Sequence, residues 1–337
     1  MSPVAAIPGN TRLRAFQLGL ETTFGTPVNA TRRFPWSYAP AVDPHWTWPD
    51  ADTGTLDEAI NPYRLRIDLT GTATGPLAYN DAPYLWAALT KSGVTPASNI
   101  WTFTPASTSQ DSFEIFTGEW GDETADQYRL TSGVLDRLQL VYPEDLGPVQ
   151  VTADWRFAKV TYPHAKTALS VDFQPNWVYA NDTSVYIDST AGGIGATKLT
   201  NTVHGLTIDI NNAIDVKSFA NGSNTQFTVD GYGRGLRTNT TTFSFAKTTA
   251  SLQEVANWLN ASPVERFLAV DTISPVIATG IIPYSHKVRF AGYWFTNTLN
   301  ATYGTTNTVN QLVCQGFLDQ TLTYPFTASI ANTLSAL

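Results

Sequence analysis

The 337 residues carry only 14% charged side chains against 12% aromatic ones, and the net charge is −8. Ordinary soluble proteins carry roughly a quarter charged residues, so much of this surface is expected to meet other protein rather than water; a Thr-rich extracellular β protein is the alternative that composition leaves open. The acidic balance, about −6 up to residue 168 and −2 beyond it, argues against a chain that wraps nucleic acid, since affinity for a phosphate backbone comes mainly from Lys and Arg.

No segment approaches the roughly 20 apolar residues of a membrane helix. The lone Cys314 rules out an intrachain disulfide framework and, between Leu312 and Val313, reads as a small core residue. Residues 1–9 lack the basic-then-apolar order of a secretory leader. The Asn-x-Ser/Thr triplets at Asn29, Asn181, Asn221, Asn239 and Asn300 therefore reflect composition rather than glycan sites.

Residues 12–21 set Leu13 and Ala15 against Arg12 and Arg14 and predict a first strand, turned by Gly25-Thr-Pro27. Residues 32–60 are aromatic, proline-rich and irregular, with Trp36, Tyr38, Trp46 and Trp48 among Pro35, Pro40, Pro44 and Pro49. A loop of this length in a compact domain is usually functional or reaches a neighbour. Packing against another subunit or domain is the leading reading, and an aromatic platform for sugars the other. Residues 63–70 alternate Leu65, Ile67 and Leu69 with Arg64, Arg66 and Asp68, as a two-sided strand does. A helix is predicted over residues 82–91, opened by Asp81 and closed by Gly93. Strands follow at residues 100–105, 113–120, 128–142 and 149–160.

Residues 161–197 are too apolar for a spacer and predict short strands at Trp177-Val-Tyr179 and Val185-Tyr-Ile187. Within residues 199–211, Leu206, Ile208 and Ile210 alternate with polar neighbours; a polar loop from Asn221 then leads to Phe227 and Val229. Next comes a strand–helix–strand block. Phe243 and Phe245 share a strand face, and Ser251 with Glu254 reads as a capping box. Leu252, Val255, Ala256 and Leu259 form an i, i+3, i+4, i+7 row, stopped by Ser262-Pro263 before Phe267. Strands near residues 286–299 and 308–318 precede a last alternating row, Leu322, Tyr324, Phe326, Ala328 and Ile330.

The block repeats. A shift of 170 carries Asp81, Leu85 and Leu89 onto Ser251, Val255 and Leu259; a shift of 174 carries Phe116-Thr-Gly-Glu-Trp120 onto Phe290-Ala-Gly-Tyr-Trp294; and 173 carries the row from Val149 to Phe157 onto the last row. The expectation is a duplicated all-β unit with one short helix per copy: two tandem β-sandwich domains, residues 1–165 and 166–337.

No motif points to catalytic chemistry, and no catalytic, cofactor-binding or metal-binding residue is nominated. Gly193-Ile-Gly195-Ala-Thr-Lys198 lacks a third glycine and a following helix, so it is a poor nucleotide loop. His45, His164, His204 and His286 have no metal spacing. Asp50-Ala-Asp52-Thr-Gly54 lacks the spacing and the closing Glu of a calcium loop. Glu114, Glu119, Asp122, Glu123 and Asp126 form the densest acidic patch and read as an exposed or lumen-facing strand and loop. With the Trp-rich loop they also support the alternative of a carbohydrate-binding or glycoside-cleaving β-sandwich. Arg234 and Arg237 in Gly231-Tyr-Gly-Arg-Gly-Leu-Arg237 could touch phosphate or form a turn at a subunit contact.

Three stretches carry a resemblance: Gly19-Leu-Glu-Thr-Thr-Phe-Gly-Thr-Pro-Val28; then Ser184-Val-Tyr-Ile-Asp188, Gly195-Ala-Thr-Lys-Leu199 and Leu206-Thr-Ile-Asp-Ile-Asn-Asn212; then the strand–helix–strand order around Ser251. With these the chain resembles the tail tube, or major tail, proteins of long non-contractile-tailed bacteriophages. The resemblance implies a structural virion protein, made in the host bacterial cytoplasm and not an enzyme. Sheets from each unit would join into a ring-shaped β-barrel around a channel, three duplicated chains or six closing a ring. Stacked rings would form the tube through which DNA is ejected without being bound. Implied partners are the chain itself, a tail length (tape measure) protein, and the tail terminator and tail tip proteins, with no membrane.

Overall fold

The computed structural model describes residues 14–43, 46–47, 63–64, 67–90, 93–105, 113–122, 126–172, 175–218, 229–299 and 309–337. The first half contains β1 (Ala15–Glu21), β2 (Arg32–Phe34), β3 (Ser37–Asp43), β4 (Trp46–Thr47), β5 (Tyr63–Arg64), β6 (Asp68–Pro76), α1 (Ala82–Leu89), β7 (Ile100–Phe103), β8 (Ile115–Gly121), β9 (Gln127–Tyr142), β10 (Gln150–Phe157) and β11 (Lys159–Thr161). The second contains β12 (Thr183–Asp188), β13 (Val203–Asn211), β14 (Ile214–Lys217), β15 (Gly231–Arg234), β16 (Thr238–Ala246), α2 (Thr249–Trp258), β17 (Glu265–Thr279), β18 (Ile282–Leu299), β19 (Val309–Phe317) and β20 (Phe326–Ala331). The protein is all-β with one short helix in each half.

Within residues 32–60, expected as irregular loop, residues 32–34 and 37–43 are strand. Pro40 lies in a strand that, among the described residues, pairs with β6 alone, and an edge strand tolerates a missing N–H. Its partner β6 extends through Gly71 and Gly75, past the residue-70 limit that alternation suggests. Bare backbone is required there. A Cβ on Gly71 would lie 2.1 Å from Tyr38 Oη, and one on Gly75 2.2 Å from Trp36 Cδ1. The two aromatic rings lie in the core, and Trp36 Nε1 donates to Pro76 O at 2.7 Å.

Two runs of strands follow one pattern. Hydrogen bonding orders the first as β1–β8–β9–β10–β6–β3 and the second as β12–β17–β18–β19–β16–β13. Each helix follows the matching strand, β6 or β16, and the hairpins β4–β5 and β14–β15 follow β3 and β13. Even an irregularity matches: the β9–β10 ladder slips one residue at Asp136, and the β18–β19 ladder slips at Phe295. This order corrects two sequence matches. The strand with Phe116–Trp120 corresponds to β17 rather than to the Phe290–Trp294 stretch of β18. Likewise β10 corresponds to β19, and the last row, β20, to β11. Alternating apolar rows are common to all these strands, so a shift fitted to them can land one strand off.

The α2 start signal also lies a turn earlier than Ser251. Thr248 is the N-cap, and the capping box is made with Ser251, whose Oγ takes the Thr248 N–H at 2.9 Å. Glu254 faces inward, accepting from Arg266 Nε at 2.8 Å and Trp294 Nε1 at 2.7 Å. The buried face is therefore Ser251, Glu254 and Val255, while Leu252, Ala256 and Leu259 of the expected row stay exposed. Buried polar partners, invisible to an apolar pattern, rotate the helix.

The halves share a core. Every residue of α1 is buried, and the helix packs against β9 of its own half and β20 of the other. Strand β7, inserted between α1 and β8, adds to the second half's sheet by pairing with β20. At this junction Trp86 Nε1 donates to His286 Nε2 at 3.0 Å. Indole is only a donor, so Nε2 accepts and the ring proton sits on Nδ1, which faces Tyr142 Oη at 3.3 Å. Burial pushes the His286 pKa down from 6.5 to about 4. Below pH 6.5 the unfolded chain takes up a proton that the folded chain refuses, so this contribution to stability falls between pH 6.5 and 4 and levels off below. Denaturant melts at stepped pH should show the parent losing up to about 3 kcal/mol more than a His286→Gln variant across that window; parallel curves would show that His286 does not titrate in this way.

Candidate functional site: a strand joint, two open edges and a polar face

The two halves meet edge to edge. Strand β13 pairs antiparallel with the C-terminal part of β9, from Leu206 opposite Tyr142 to Asn211 opposite Arg137. The N-terminal part of the same β9 edge is taken by β8, and β10 and β11 take the other edge. The slip at Asp136 turns that residue into a clamp. Its backbone oxygen accepts Asn212 N–H at 2.8 Å, its Oδ1 accepts Ile214 N–H at 2.7 Å, and its Oδ2 accepts Arg156 Nε at 2.9 Å.

The matching positions of β18 and β3 carry no such neighbour among the described residues. β19 and β20 occupy one edge of β18, and β17 occupies the other only as far as Tyr293. From Trp294 onward no described residue pairs with that second edge. β3, the counterpart of β13, pairs only with β6. Its inward row is correspondingly bare: Val42 is 50% exposed where Ile210, its counterpart on β13, is fully buried. Among the described residues the chain thus presents one unpaired donor strand and one unpaired acceptor edge, each matching a member of the joint it makes internally.

The face of the long sheet turned away from the helices is polar by alternation. It carries Thr70, Thr72 and Thr74 of β6, Thr207 and Asp209 of β13, Thr240 and Thr242 of β16, and Gln139 of β9. Arg137 and Arg156 are the basic residues that β6, β10, β13, β16, β19 and the C-terminal part of β9 bring to it, and both are paired. Arg137 binds Asp209 through Nε at 2.9 Å and through Nη2, with Asp154 3.8 Å from Nη1; Arg156 binds Asp136. Gln139 Nε2 adds a hydrogen bond to Asp209 at 3.2 Å, and Thr72 Oγ1 one to Asp154 at 2.7 Å.

A family model described as phage tail tube protein matches residues 11–275. The chain belongs to that family. A comparison with curated proteins finds no significant match. Family membership places this tail tube protein in the virion tail as a structural component.

The residues that suggested other chemistry have structural roles in this tail tube protein. Glu119 is fully buried rather than lumen-facing, accepting from Thr167 N–H at 2.7 Å and Thr167 Oγ1 at 3.0 Å, with Arg129 and His164 beside it. Glu21, which no motif singles out, is held by Thr117 Oγ1, Ser132 N–H and Ser132 Oγ. Such enclosed, saturated carboxylates suit neither acid nor nucleophile in glycoside cleavage. The sugar platform loses Trp36 and Tyr38 to the core, while Trp48, Asp50, Asp52 and Glu123 lie outside the described residues. The glycine run does form an anion cradle, but the protein's own Asp188 fills it, accepting N–H bonds from Gly195, Ala196 and Thr197. Arg234 lies 4.0 Å over the Phe113 ring, and Arg237 donates to Asn212 Oδ1. Cys314 is buried, which pushes its thiol pKa up. Among the described residues no group of three or more His, Cys, Asp or Glu is placed to hold a metal.

The two edges differ in a way that hydrogen exchange reads. In the dissociated chain, residues 137–142 should exchange at least about tenfold more slowly than residues 296–299, because only the former have ladder partners on both sides. Equal protection would mean that the β18 edge is covered within one chain.

Proposed function

We propose that copies of the chain join β3 of one to the open edge of β18 of the next, repeating between molecules the β13–β9 joint inside each, and that the joined sheets close into a ring. The observation that carries this is the presence, among the described residues, of one vacant donor strand and one vacant acceptor edge, both matched to an existing joint. Such a contact is head-to-tail, and it closes into a ring when the rotation per unit divides a full turn. Ring closure also removes these two edges, which would otherwise recruit stray partners. On this reading residues 1–165 and 166–337 are two copies of one tube unit, so three chains supply six units.

The polar face lines the channel. Its arginines are neutralised in place and its remaining side chains are mostly Thr, Gln and Asn, so a passing polyanion finds hydration but no unpaired cation to grip. DNA moves through the stacked rings during ejection, and the ends of the tube meet the tail terminator and tail tip proteins, with a tail length protein in the bore during assembly. Synthesis takes place in the host cytoplasm. Contacts between rings use the β17–β18 hairpin, whose tip pairs only with itself and exposes Ile273, Val276, Ile277 and Ile281. The region of residues 32–60 is a weaker candidate for that contact, because residues 32–34 and 37–43 are committed to strands.

Native mass measurement and electron microscopy test the ring. Three copies of the 36.7 kDa chain weigh about 110 kDa and six about 220 kDa; a species of about 110 kDa with a central hole is expected, and a protein that stays monomeric at high concentration would overturn the proposal. A second test concerns the wall. Replacing both Asp154 and Asp209 with Asn unpairs Arg137, so assembled variant should retain duplex DNA at low salt where the parent does not. Equal retention would place this face away from the bore.

A further inference from the structure

The joint inside the chain and the joint between chains should not use the same side chains, and the difference falls on one cluster. Inside the chain the clamp consists of Asp136, Arg156 and the first residue of the β14–β15 hairpin, Ile214. Two residues separate the end of β13 from Ile214, and two separate the end of β3 from Trp46, so Trp46 is the counterpart of Ile214 in β4. The slip residue of β18, Phe295, is the counterpart of Asp136. Strand pairing through β6 and β16 places Gln315 where β10 has Arg156.

The carboxylate and the guanidinium have been exchanged together for a phenyl ring and a neutral amide, which leaves no stranded charge. The third member has become an indole. In the single chain both aromatic members reach the surface: Phe295 is 69% exposed and Trp46 57%. Gln315 is turned to its own half, where it accepts from Thr240 Oγ1 and donates to Asn239 O, so it does not replace Arg156 as a polar partner.

Resting on the ring reading above, we infer that Trp46 of one copy packs against Phe295 of the next, an aromatic latch that takes the place of the internal Asp136–Arg156 clamp. The occupant is a second copy of this chain, because only there does a β3 strand arrive in the register that brings Trp46 to the slip. The rest of that register is fixed by the internal joint. Ala41 corresponds to Asp209 and residue 298 to Gln139, so Ala41 should face Thr298 of the neighbour. An apolar latch also has a functional consequence: a seam closed by two rings is little weakened by salt, whereas one closed by a surface ion pair is screened.

The experiment uses the full chain in two preparations, one Trp46→Cys and the other Phe295→Cys, mixed as dissociated chains under reducing conditions, assembled together and then oxidised. A cross-linked dimer that forms only in the mixture is expected. Separately, Phe295→Asp should raise the concentration needed for ring formation roughly tenfold or more, with the melting temperature of the dissociated chain unchanged because the side chain is exposed there. Adding Trp46→Arg to that variant should restore assembly and make it salt-sensitive. Two results would overturn the latch and leave the ring standing: rings that form normally from Phe295→Asp, or a disulfide that forms between Ala41→Cys and Thr298→Cys preparations while none forms between positions 46 and 295. Failure of the parent chain to assemble at all would overturn the ring instead.

Discussion

Everything in this structure is arranged around a single ladder of backbone hydrogen bonds, the pairing of β13 with the far part of β9. A strand edge is a row of donors and acceptors that must be paired, covered or left to water. In the first half the edge of β9 is shared between β8 and β13, and the slip at Asp136 lies near the handover. In the second half the same handover point exists on β18, at Phe295, with β17 before it and nothing described after it. An unfinished edge next to a finished one of the same construction states what kind of strand is missing.

Burial follows the same asymmetry. Helix α1 is covered on every side because the second half's strands close over it, and Trp86 reaches His286 through that contact. Among the described residues nothing covers the outer face of helix α2: Leu252 and Leu259 face outward at 45% and 67% exposure. The exposed apolar residues Val42, Phe295 and Leu259 fall at places whose counterparts in the other half are covered by the partner half. At roughly 25 cal/mol per Å² of apolar surface removed from water, covering them in an assembly is a driving force independent of the backbone ladder. It acts at the same seam.

The sequence reveals strands well and their correspondence poorly. Rows such as Leu206, Ile208 and Ile210, or Val151, Ala153 and Trp155, are half-buried in the manner that period-two alternation requires, and they lie where alternation puts them. β6 and β3 are harder to see because their packing is built from absence: Gly71 and Gly75 are where Tyr38 and Trp36 lie across the neighbouring strand. The rotation of α2 is hidden for a different reason. Its inward face is set by Glu254 meeting Arg266 and Trp294, and such a pairing leaves no trace in hydropathy. The matching of halves by fixed shifts fails after the helix because the first half has β7 and residues 90–99 and 104–114 where the second has only a short turn before β17. Topology restores the match since it counts partners rather than residues.

The net charge of −8 invites a simple account in which an acidic bore repels DNA, and the placement of the carboxylates argues against it. Glu21, Glu119 and Glu254 are inside, each surrounded by donors, and contribute to holding β1, the segment around Thr167, and α2. On the polar face the carboxylates Asp136, Asp154 and Asp209 are matched to Arg137 and Arg156 at contact distance, so their fields largely cancel within a few ångströms. What remains is a surface of hydroxyls and amides. On the proposal that this face lines a channel, that is the more useful property: a strongly negative wall would add a barrier to entry, an unpaired cation would add a trap, and a neutral hydrated wall would add neither.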